Sequence, residues 1–246
     1  MAQEKRIWLG RDRALFLGEL PPARLHAHAA PVLLIGLSGP ICLQFADGRE
    51  ETCMSALVDA GVPHCMDSRG EYMASLYLEP DAAETRLLRA GLLNQESVVY
   101  DPLPSAARRK VIENQLRSFD LQHLLPATAL KESAPLDPRI ARSLAALRRG
   151  NHSFLRRGDL ADEAHLSESR FNHLFRSEVG ISFRHYRGWS RLRSALFHVA
   201  SDLSLTNAAL SAGLYDSAHF SRLFQNMIGL APSRALAGVR EFEILT

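Results

Sequence analysis

The region between residues 160 and 229 contains the same pattern twice, and this repeat constrains the fold more than any other feature. LADEAHLSESRFNHLFRSEVG (160–180) aligns with AALSAGLYDSAHFSRLFQNMIG (208–229), with one extra residue in the second copy. Each copy predicts a short helix with small residues, a tight turn and a second helix with a buried Phe-x-x-Leu-Phe stripe. One copy alone would also fit a plain helical bundle. Two copies predict a pair of helix-turn-helix units.

Residues around the repeat indicate where its helices begin and turn. Ser167 is predicted to be the N-cap of the second helix in the first unit, and Asp159 the N-cap of the helix before it. The turn residue is Gly213 in the second unit, where a positive φ is expected, and His165 in the first. An apolar stripe over 182–200 predicts one long helix that joins the two units.

Charge is distributed unevenly along the 246 residues, although the net charge is only +2. Residues 137–246 hold 15 basic residues, all of them arginine, and 10 acidic ones, whereas residues 1–136 hold 14 basic and 17 acidic residues. The planar guanidinium group suits bidentate contacts with phosphate and guanine. A solvated helical surface fits this composition as well, so charge alone does not decide between the two.

The N-terminal half has the pattern of a small β-structure followed by helices. Short apolar runs between residues 7 and 80 predict strands, with a hairpin turn at 46–48. After residue 80 the apolar spacing becomes helical. This helical part is predicted either to pack on its own barrel or to form a homodimer interface, with three candidate residues: Leu116, Phe119 and Leu124.

The segment PATALKESAPLDP (126–138) is rich in proline and is the predicted linker. It separates a domain at 1–125 from a domain at 139–246, in which only helices are expected. The predicted fold is therefore α+β with two domains. The first is a β-barrel with flanking helices, and the second is all-α with two helix-turn-helix units joined by a long helix.

Residues in and around the repeat also follow a known family spacing. They are Gly180, Ser182, Phe183, Tyr186, Arg191, Leu192, Ala195, Leu205, Ala209, Gly213, Leu214, Ser217, His219, Phe220, Ser221, Arg222, Phe224, Gly229 and Pro232. On these residues the stretch 137–240 resembles the DNA-binding domain of the AraC/XylS family of transcription regulators. Three positions depart from the usual family residues: Ala208, Leu214 and Ala218.

The outward faces of the two recognition helices are the predicted DNA contacts. These residues are Ser169, Arg170, Asn172, His173 and Arg176 in the first unit, and Ser217, Ala218, His219, Ser221, Arg222 and Gln225 in the second. The resemblance implies DNA contact at Ser169, Asn172, His173, Arg176, Ala218, His219, Ser221 and Arg222. Asn172 suits adenine, and Arg222 suits guanine, phosphate or a structural ion pair. Arg191 is expected to be buried against an acid. The first unit is expected to read more bases, and the second to hold more phosphates.

Three histidines mark a candidate site in the N-terminal domain. His26 and His28 form a His-x-His pair that alternation on a strand would turn to one side, and His64 follows later. Together with the strands, this resembles the small cupin-like sensing domain of many AraC-type regulators. The three histidines are predicted to bind an effector. A metal site of the same residues, with Cys53 or Cys65, is the alternative, but a leucine or valine stands where metal-binding cupins usually supply glutamate. No cofactor is expected.

These features together imply a ligand-responsive transcription regulator and not an enzyme. The expected partners are double-stranded operator or promoter DNA, RNA polymerase, a small-molecule effector and a second copy of the chain. Activation is the common outcome in the resembled family. The alternatives are a cupin-type metal-dependent enzyme fused to a DNA-binding module, and a constitutive DNA binder. A start without an apolar signal region, three cysteines and a broken apolar stretch at 31–45 predict a reduced cytoplasmic protein without a membrane span.

Overall fold

The chain divides into two compact units in a computed structural model. One unit is Met1–Ser133 together with Gln225–Thr246, and the other is Ala134–Phe224. The structure describes the residues 4–94, 96–105, 125–126, 129–149, 155–201 and 203–244. The fold is α+β, with a strand-rich N-terminal part and a helical C-terminal part, as predicted. The candidate dimer residues Leu116, Phe119 and Leu124 lie outside the described residues.

The first unit is a strand-rich part built of two sheets, where a small β-barrel was predicted. Its strands are Lys5–Leu9 (β1), Arg13–Gly18 (β2), Ala23–His26 (β3), Val32–Gly36 (β4), Ile41–Phe45 (β5), Glu50–Cys53 (β6), Ser55–Val58 (β7), His64–Asp67 (β8), Met73–Leu78 (β9), Val98–Tyr100 (β10) and Val239–Ile244 (β11). A seven-stranded sheet has the order β10-β7-β4-β9-β2-β1-β11, and a four-stranded sheet has the order β3-β8-β5-β6.

A row of apolar side chains crosses the seven-stranded sheet and forms the centre of the core. In register from β10 to β1, the row consists of Val99, Leu57, Leu33, Leu76, Leu15 and Trp8. Leu88 of the helix Ala83–Ala90 (α1) belongs to the same core. Strand β4 is buried along its whole length, so both of its faces are covered, which explains its unbroken apolar sequence.

Two strands correct the sequence-based prediction. Strand β10 lies where helical spacing was expected, and β11 lies in a region that was expected to be wholly helical. Strand β11 pairs in parallel with β1, which places Trp8 opposite Glu243. The indole N–H of Trp8 donates a hydrogen bond to the Glu243 carboxylate at 3.1 Å. Parallel pairing of segments so far apart in the chain leaves no local pattern to detect.

The described helices after residue 137 are Pro138–Arg149 (α2), Arg157–Glu163 (α3), Glu168–Val179 (α4), Phe183–Ala200 (α5), Leu205–Ser211 (α6), Ser217–Ile228 (α7) and Pro232–Ala235 (α8). The first six begin in the second unit, and the last residues of α7 belong to the first unit. Among the helices that the structure describes, none combines the length and the apolar character needed to cross a membrane.

Serine side chains start several of these helices, as the sequence predicts for Ser167. The hydroxyl of Ser182 accepts the His185 N–H at the start of α5, at 3.3 Å. The prediction for Asp159 is wrong, because α3 begins at Arg157 and Asp159 is already inside the helix. Its carboxylate accepts the backbone N–H of Arg156 at 3.0 Å and still satisfies a donor at the helix N-terminus.

Candidate functional site

The two helix-turn-helix units, α3–α4 and α6–α7, have the same backbone hydrogen bonds in their turns. The N–H of Leu166 donates to the carbonyl of Ala161 at 2.9 Å, and the N–H of Leu214 donates to the carbonyl of Ala209 at 2.9 Å. Each residue of the second pair lies 48 positions after its counterpart in the first. The sequence repeat is therefore also a repeat of backbone geometry.

The turn residues and the N-caps of the recognition helices α4 and α7 also correspond. His165 has a φ of 54° and Gly213 a φ of 73°, so both have the positive φ expected of them. The hydroxyl of Ser167 accepts the N–H three residues on, at 3.3 Å, and starts α4. The carboxylate of Asp216 does the same at the start of α7. The two units thus differ in residues but not in how the turn is made.

The inward stripe of each recognition helix is confirmed for its phenylalanines. Phe171, Phe175 and Phe220 are fully buried, whereas Leu174 and Leu223 are only half-buried. The predicted DNA contacts fall into two groups of exposure. The exposed ones are Ser169, Arg170, His173, Arg176, Ala218 and Arg222. The half-buried ones are Asn172, Ser217, His219, Ser221 and Gln225.

A groove of about 760 Å³ in the second compact unit is lined by both recognition helices and the connecting helix α5, and its arginines come from α3, α4 and α5. We call it the arginine groove. Asn172 of α4 and Leu223 of α7 are part of its lining. Its basic residues are Arg157, His173, Arg176, Arg184, Arg187, Arg191 and His219. Among the described residues that line it, none is acidic.

Four of these arginines were missed as site residues in the sequence, Arg157 on α3 and three on the connecting helix α5. Arg184, Arg187 and Arg191 lie on α5 at steps of three and four residues, which places them on one face of the helix. Gly188, between them, leaves room at the wall of the groove because it has no side chain. The spacing was visible in the sequence, but which face of α5 turns towards the recognition helices was not.

The expectation that Arg191 is buried against an acid is wrong. Its side chain is half-buried, and burial followed by the charge of Arg187 lowers the pKa of its guanidinium group. Its buried Nε atom has no hydrogen-bond partner among the residues that the structure describes. Arg157 is different, because it forms an ion pair with Glu168. Like charges gathered in a partly desolvated groove favour the binding of an anion.

Three residues of the second helix-turn-helix unit change the predicted DNA-contact surface. The side chain of Tyr215 is 86% exposed, and its ring stacks on His219 with 5.5 Å between ring centroids. Tyr215 lies in the turn that contains the extra residue of the second copy. That extra residue was the one feature of the sequence that pointed to Tyr215. The hydroxyl of Ser221 donates to its own helix at the Ser217 carbonyl, at 2.8 Å.

Arg222 and Gln225 differ in their surroundings. Arg222 is exposed and has no ion-pair partner among the described residues, so the structural ion pair considered for it is not formed there. Gln225, although it is on α7, belongs to the compact unit that also contains Met1–Ser133, and it is half-buried. Of these two residues, Arg222 therefore has the freer side chain for DNA.

The three predicted effector-site histidines lie together in the first unit, and we call them the histidine cluster. His26, at the end of β3, is opposite His64, at the start of β8. The ring centroids are 4.4 Å apart for His26 and His28, 4.7 Å for His26 and His64, and 5.0 Å for His28 and His64. All three rings are buried, and Tyr77 packs edge-on against His28.

Hydrogen bonds to backbone carbonyls orient two of the rings. The Nδ1 atom of His26 lies 2.8 Å from the Arg24 carbonyl oxygen, and that of His64 lies 2.9 Å from the Val62 carbonyl oxygen. A carbonyl oxygen only accepts, so both Nδ1 atoms carry the proton and both Nε2 atoms are acceptors. Nε2 of His26 accepts a hydrogen bond from the Nε2–H of His28 at 3.1 Å, and Nε2 of His64 has no partner among the described residues. Burial lowers the pKa of His26 to about 4, and burial also lowers the pKa values of His28 and His64. The cluster is neutral at pH 7.

The cysteines do not join the histidine cluster, which contains three histidines only among the described residues. Burial raises the pKa of Cys53 to about 12, so its thiol stays protonated and is a poor ligand. A separate cavity of about 610 Å³ opens elsewhere in the first unit. Its lining includes the aromatic and charged residues Phe45, Asp47, Arg49, Glu96 and Tyr100.

Comparison with known protein families matches residues 160–237 to a helix-turn-helix domain. The arabinose operon regulatory protein of Escherichia coli (strain K12) is 34% identical over 83 residues, which are 33% of this chain and 28% of that protein. An uncharacterized HTH-type transcriptional regulator of Haemophilus influenzae is 28% identical over 127 residues, 50% of this chain and 43% of that protein. The chain therefore spans less than half the length of these curated relatives.

The fold of the whole chain is similar to that of ToxT from Vibrio cholerae. An apo ToxT variant from strain SCE256 has a TM-score of 0.65 at 12% identity, over 94% of this chain and 99% of that one. Wild-type ToxT with a bound unsaturated fatty acid has a TM-score of 0.60 at 12% identity, over 98% of both chains. These likenesses establish the two-part fold, and the family match covers its C-terminal part. Residues 160–237 of this chain thus match a helix-turn-helix domain, and both recognition helices, α4 and α7, lie within them.

Proposed function

We propose that this chain is a sequence-specific DNA-binding transcription regulator that responds to an effector bound in its N-terminal part. The arginine groove carries the proposal, because both recognition helices and the connecting helix contribute to it. The exposed guanidinium groups of Arg176 and Arg184 in this groove suit the phosphate backbone, which fixes the position of a protein on DNA. The exposed faces of α4 and α7 then contact base edges in the major groove.

In this proposal the first helix-turn-helix unit makes most of the contacts with the bases. Asn172 and His173 line the groove, and the amide of Asn172 is able to bond adenine through two hydrogen bonds. The second helix-turn-helix unit has the exposed residues Arg222 and Tyr215, and Ala218, whose side chain is small. Its contribution is mainly to the phosphates and to apolar contact with the bases.

The remaining partners follow from the same proposal. A regulator of this kind acts on RNA polymerase at promoters, in the cytoplasm, and we assign it no catalytic reaction. ToxT, whose fold is similar, has been solved with an unsaturated fatty acid bound, which supports a small molecule as one class of effector. The cavity beside Arg49 and Tyr100 and the histidine cluster are the two candidate effector sites. A homodimer through the helical part of the first domain remains part of the proposal.

The test starts by selecting binding sequences for the full chain from a pool of random duplexes. Fluorescence anisotropy then gives the Kd for a selected duplex and for a scrambled one at the same salt concentration. Asn172→Ala is expected to weaken binding to the selected duplex by about 5- to 150-fold, since a bidentate base contact contributes roughly 1–3 kcal/mol. Binding to the scrambled duplex stays the same.

Ser177→Ala is the matched control, because Ser177 is exposed on the same helix but does not line the groove. It is expected to bind both duplexes as the unchanged chain does. Equal weakening of both duplexes by Asn172→Ala would contradict the base contact. Failure to select any sequence from the random pool would contradict the proposed function itself.

A further inference from the structure

We propose that the histidine cluster binds one divalent first-row transition-metal ion, with zinc as the reference, and that this ion is an effector of the regulator. The regulatory part rests on the proposed function, and the binding part does not. Three imidazole rings meet inside the first unit with at most 6% of any of the three residues exposed. Their candidate ligand atoms all lie within 4.8 Å of one another.

The spacing of the nitrogen atoms is close to that of a metal site. In tetrahedral zinc sites the Zn–N distance of about 2.0–2.1 Å places two ligand nitrogens about 3.3 Å apart. The Nε2 atoms of His26 and His28 are 3.1 Å apart and share a hydrogen bond. For both atoms to bind one ion, the proton of His28 moves from Nε2 to Nδ1, which has no partner among the described residues. Binding also requires the widest pair to close by up to about 1.5 Å, which side-chain rotation in His64 or His28 is able to provide.

The hydrogen bonds around the cluster prepare these nitrogens as ligands. The Arg24 and Val62 carbonyls hold the Nδ1 protons of His26 and His64, so both Nε2 lone pairs point away from those carbonyls. Metal-binding histidines usually have such a second hydrogen bond, which fixes the ring and its tautomer. The Nε2 atom of His64 is buried and has no hydrogen-bond partner among the described residues. A buried acceptor without a partner destabilises the folded protein, and a bound ion would remove that cost.

The donor set selects the class of ion. It consists of neutral nitrogen atoms, without a carboxylate or thiolate in the described cluster. Imidazole suits zinc, copper, nickel and iron, whereas magnesium and calcium prefer oxygen ligands. Three protein ligands leave one position of a tetrahedral ion open for water or a small anion.

A close contact connects the cluster to the end of helix α7. A Cβ atom added at Gly229 would lie 2.5 Å from Nδ1 of His26, so the backbone there touches the ring. The N–H of Arg24 donates to the Gly229 carbonyl at 3.1 Å. Gly229 directly follows α7, which also carries the predicted DNA contacts Ala218 and Arg222. A shift of His26 on metal binding therefore acts directly on the end of a recognition helix.

The binding test uses the full chain, stripped with a chelator and then loaded with zinc or with cobalt(II). We expect one ion per chain by elemental analysis after desalting, and a visible cobalt absorption typical of nitrogen ligands. His28→Gln and His64→Gln are each expected to lower the affinity, measured against a chromophoric chelator, by about 100-fold or more. His185→Gln, at an exposed histidine on α5, is the control and keeps the affinity of the unchanged chain.

Two results would overturn the binding proposal. One is an unchanged chain that retains no stoichiometric ion, as expected if the cluster holds only water. The other is full affinity in both glutamine variants. If a glutamine variant does not fold, the cobalt spectrum of the unchanged chain decides, because it reports the ligand atoms directly.

The regulatory test compares the Kd for the selected duplex in the zinc-loaded and the chelated chain. We expect a change of about 5-fold or more, the lower end of typical coupling between two sites. Equal DNA affinity in the two states overturns the effector role and leaves the binding result intact. Absence of specific DNA binding in both states contradicts the proposed function, whatever the metal content.

Discussion

Replacing Gly229 by alanine tests the contact between the end of α7 and the histidine cluster. The φ of Gly229 is 79°, a conformation that costs an L-residue roughly 1–2 kcal/mol. The new Cβ would lie 2.5 Å from Nδ1 of His26 and 2.8 Å from the carbonyl oxygen of Arg24. That oxygen is backbone and accepts the His26 hydrogen bond, so it cannot move without breaking a buried contact.

Relieving such an overlap costs about 1–3 kcal/mol more. The expected total loss in the free energy of unfolding is therefore about 2–5 kcal/mol. Gly238→Ala is the matched control, because Gly238 has a φ of 74° but no atom within 4 Å of an added Cβ. It is expected to lose only the roughly 1–2 kcal/mol of the backbone term.

Urea unfolding of the full chain, followed by far-UV circular dichroism with a chelator present, measures both variants. The chelator is needed because a bound ion would add its own stabilisation to the folded state. We expect Gly229→Ala to have the lower midpoint, with an unchanged slope m. Equal midpoints for the two variants would refute the close approach of Gly229 to His26, since the backbone strain is the same in both.

Three further predictions concern the helix-turn-helix units. Both turns need a positive φ, which glycine adopts more easily than other residues. In thermal melts, His165→Gly is therefore expected to raise the free energy of unfolding by about 1 kcal/mol, and Gly213→Ala to lower it by about 1 kcal/mol. Changes of the same sign would contradict this. Ser167→Ala is expected to cost about 1 kcal/mol in urea unfolding through loss of the α4 N-cap, and no loss would mean that the cap contributes nothing. Arg184→Gln is expected to reduce the slope of log K against log salt by about 1 without changing sequence preference, and an altered preference would point to a base contact instead.

Features that depend on neighbouring residues could be predicted from the sequence. The N-cap role of Ser167 and the positive φ of His165 and Gly213 follow from side-chain chemistry and sterics within a few residues. The inward phenylalanines follow from helical periodicity. The meeting of His26 with His64 was suggested by residue type and confirmed by the cross-strand register.

Features that depend on distant residues could not be predicted in this way. The approach of Gly229 to His26 joins segments about two hundred residues apart, and only the fold brings them together. Arg191 was placed beside an acid because buried charges are usually paired. Its neighbour is instead Arg187, which lies four residues earlier on the same face of α5.

The parallel pairing of β1 with β11 has a consequence for how the protein is made. The two strands are separated by some 235 residues, as between Trp8 and Glu243. At about 5–20 residues per second, β1 waits roughly 10–50 s on the ribosome before its partner is synthesised. During that time the edge of the growing sheet has unpaired backbone groups next to a buried apolar row, a surface that attracts other nascent chains. Translation speed and chaperone capacity should therefore affect the yield of folded protein. This effect comes from the β1–β11 pair, because the helices of the repeat form from neighbouring residues and do not have to wait for a distant partner.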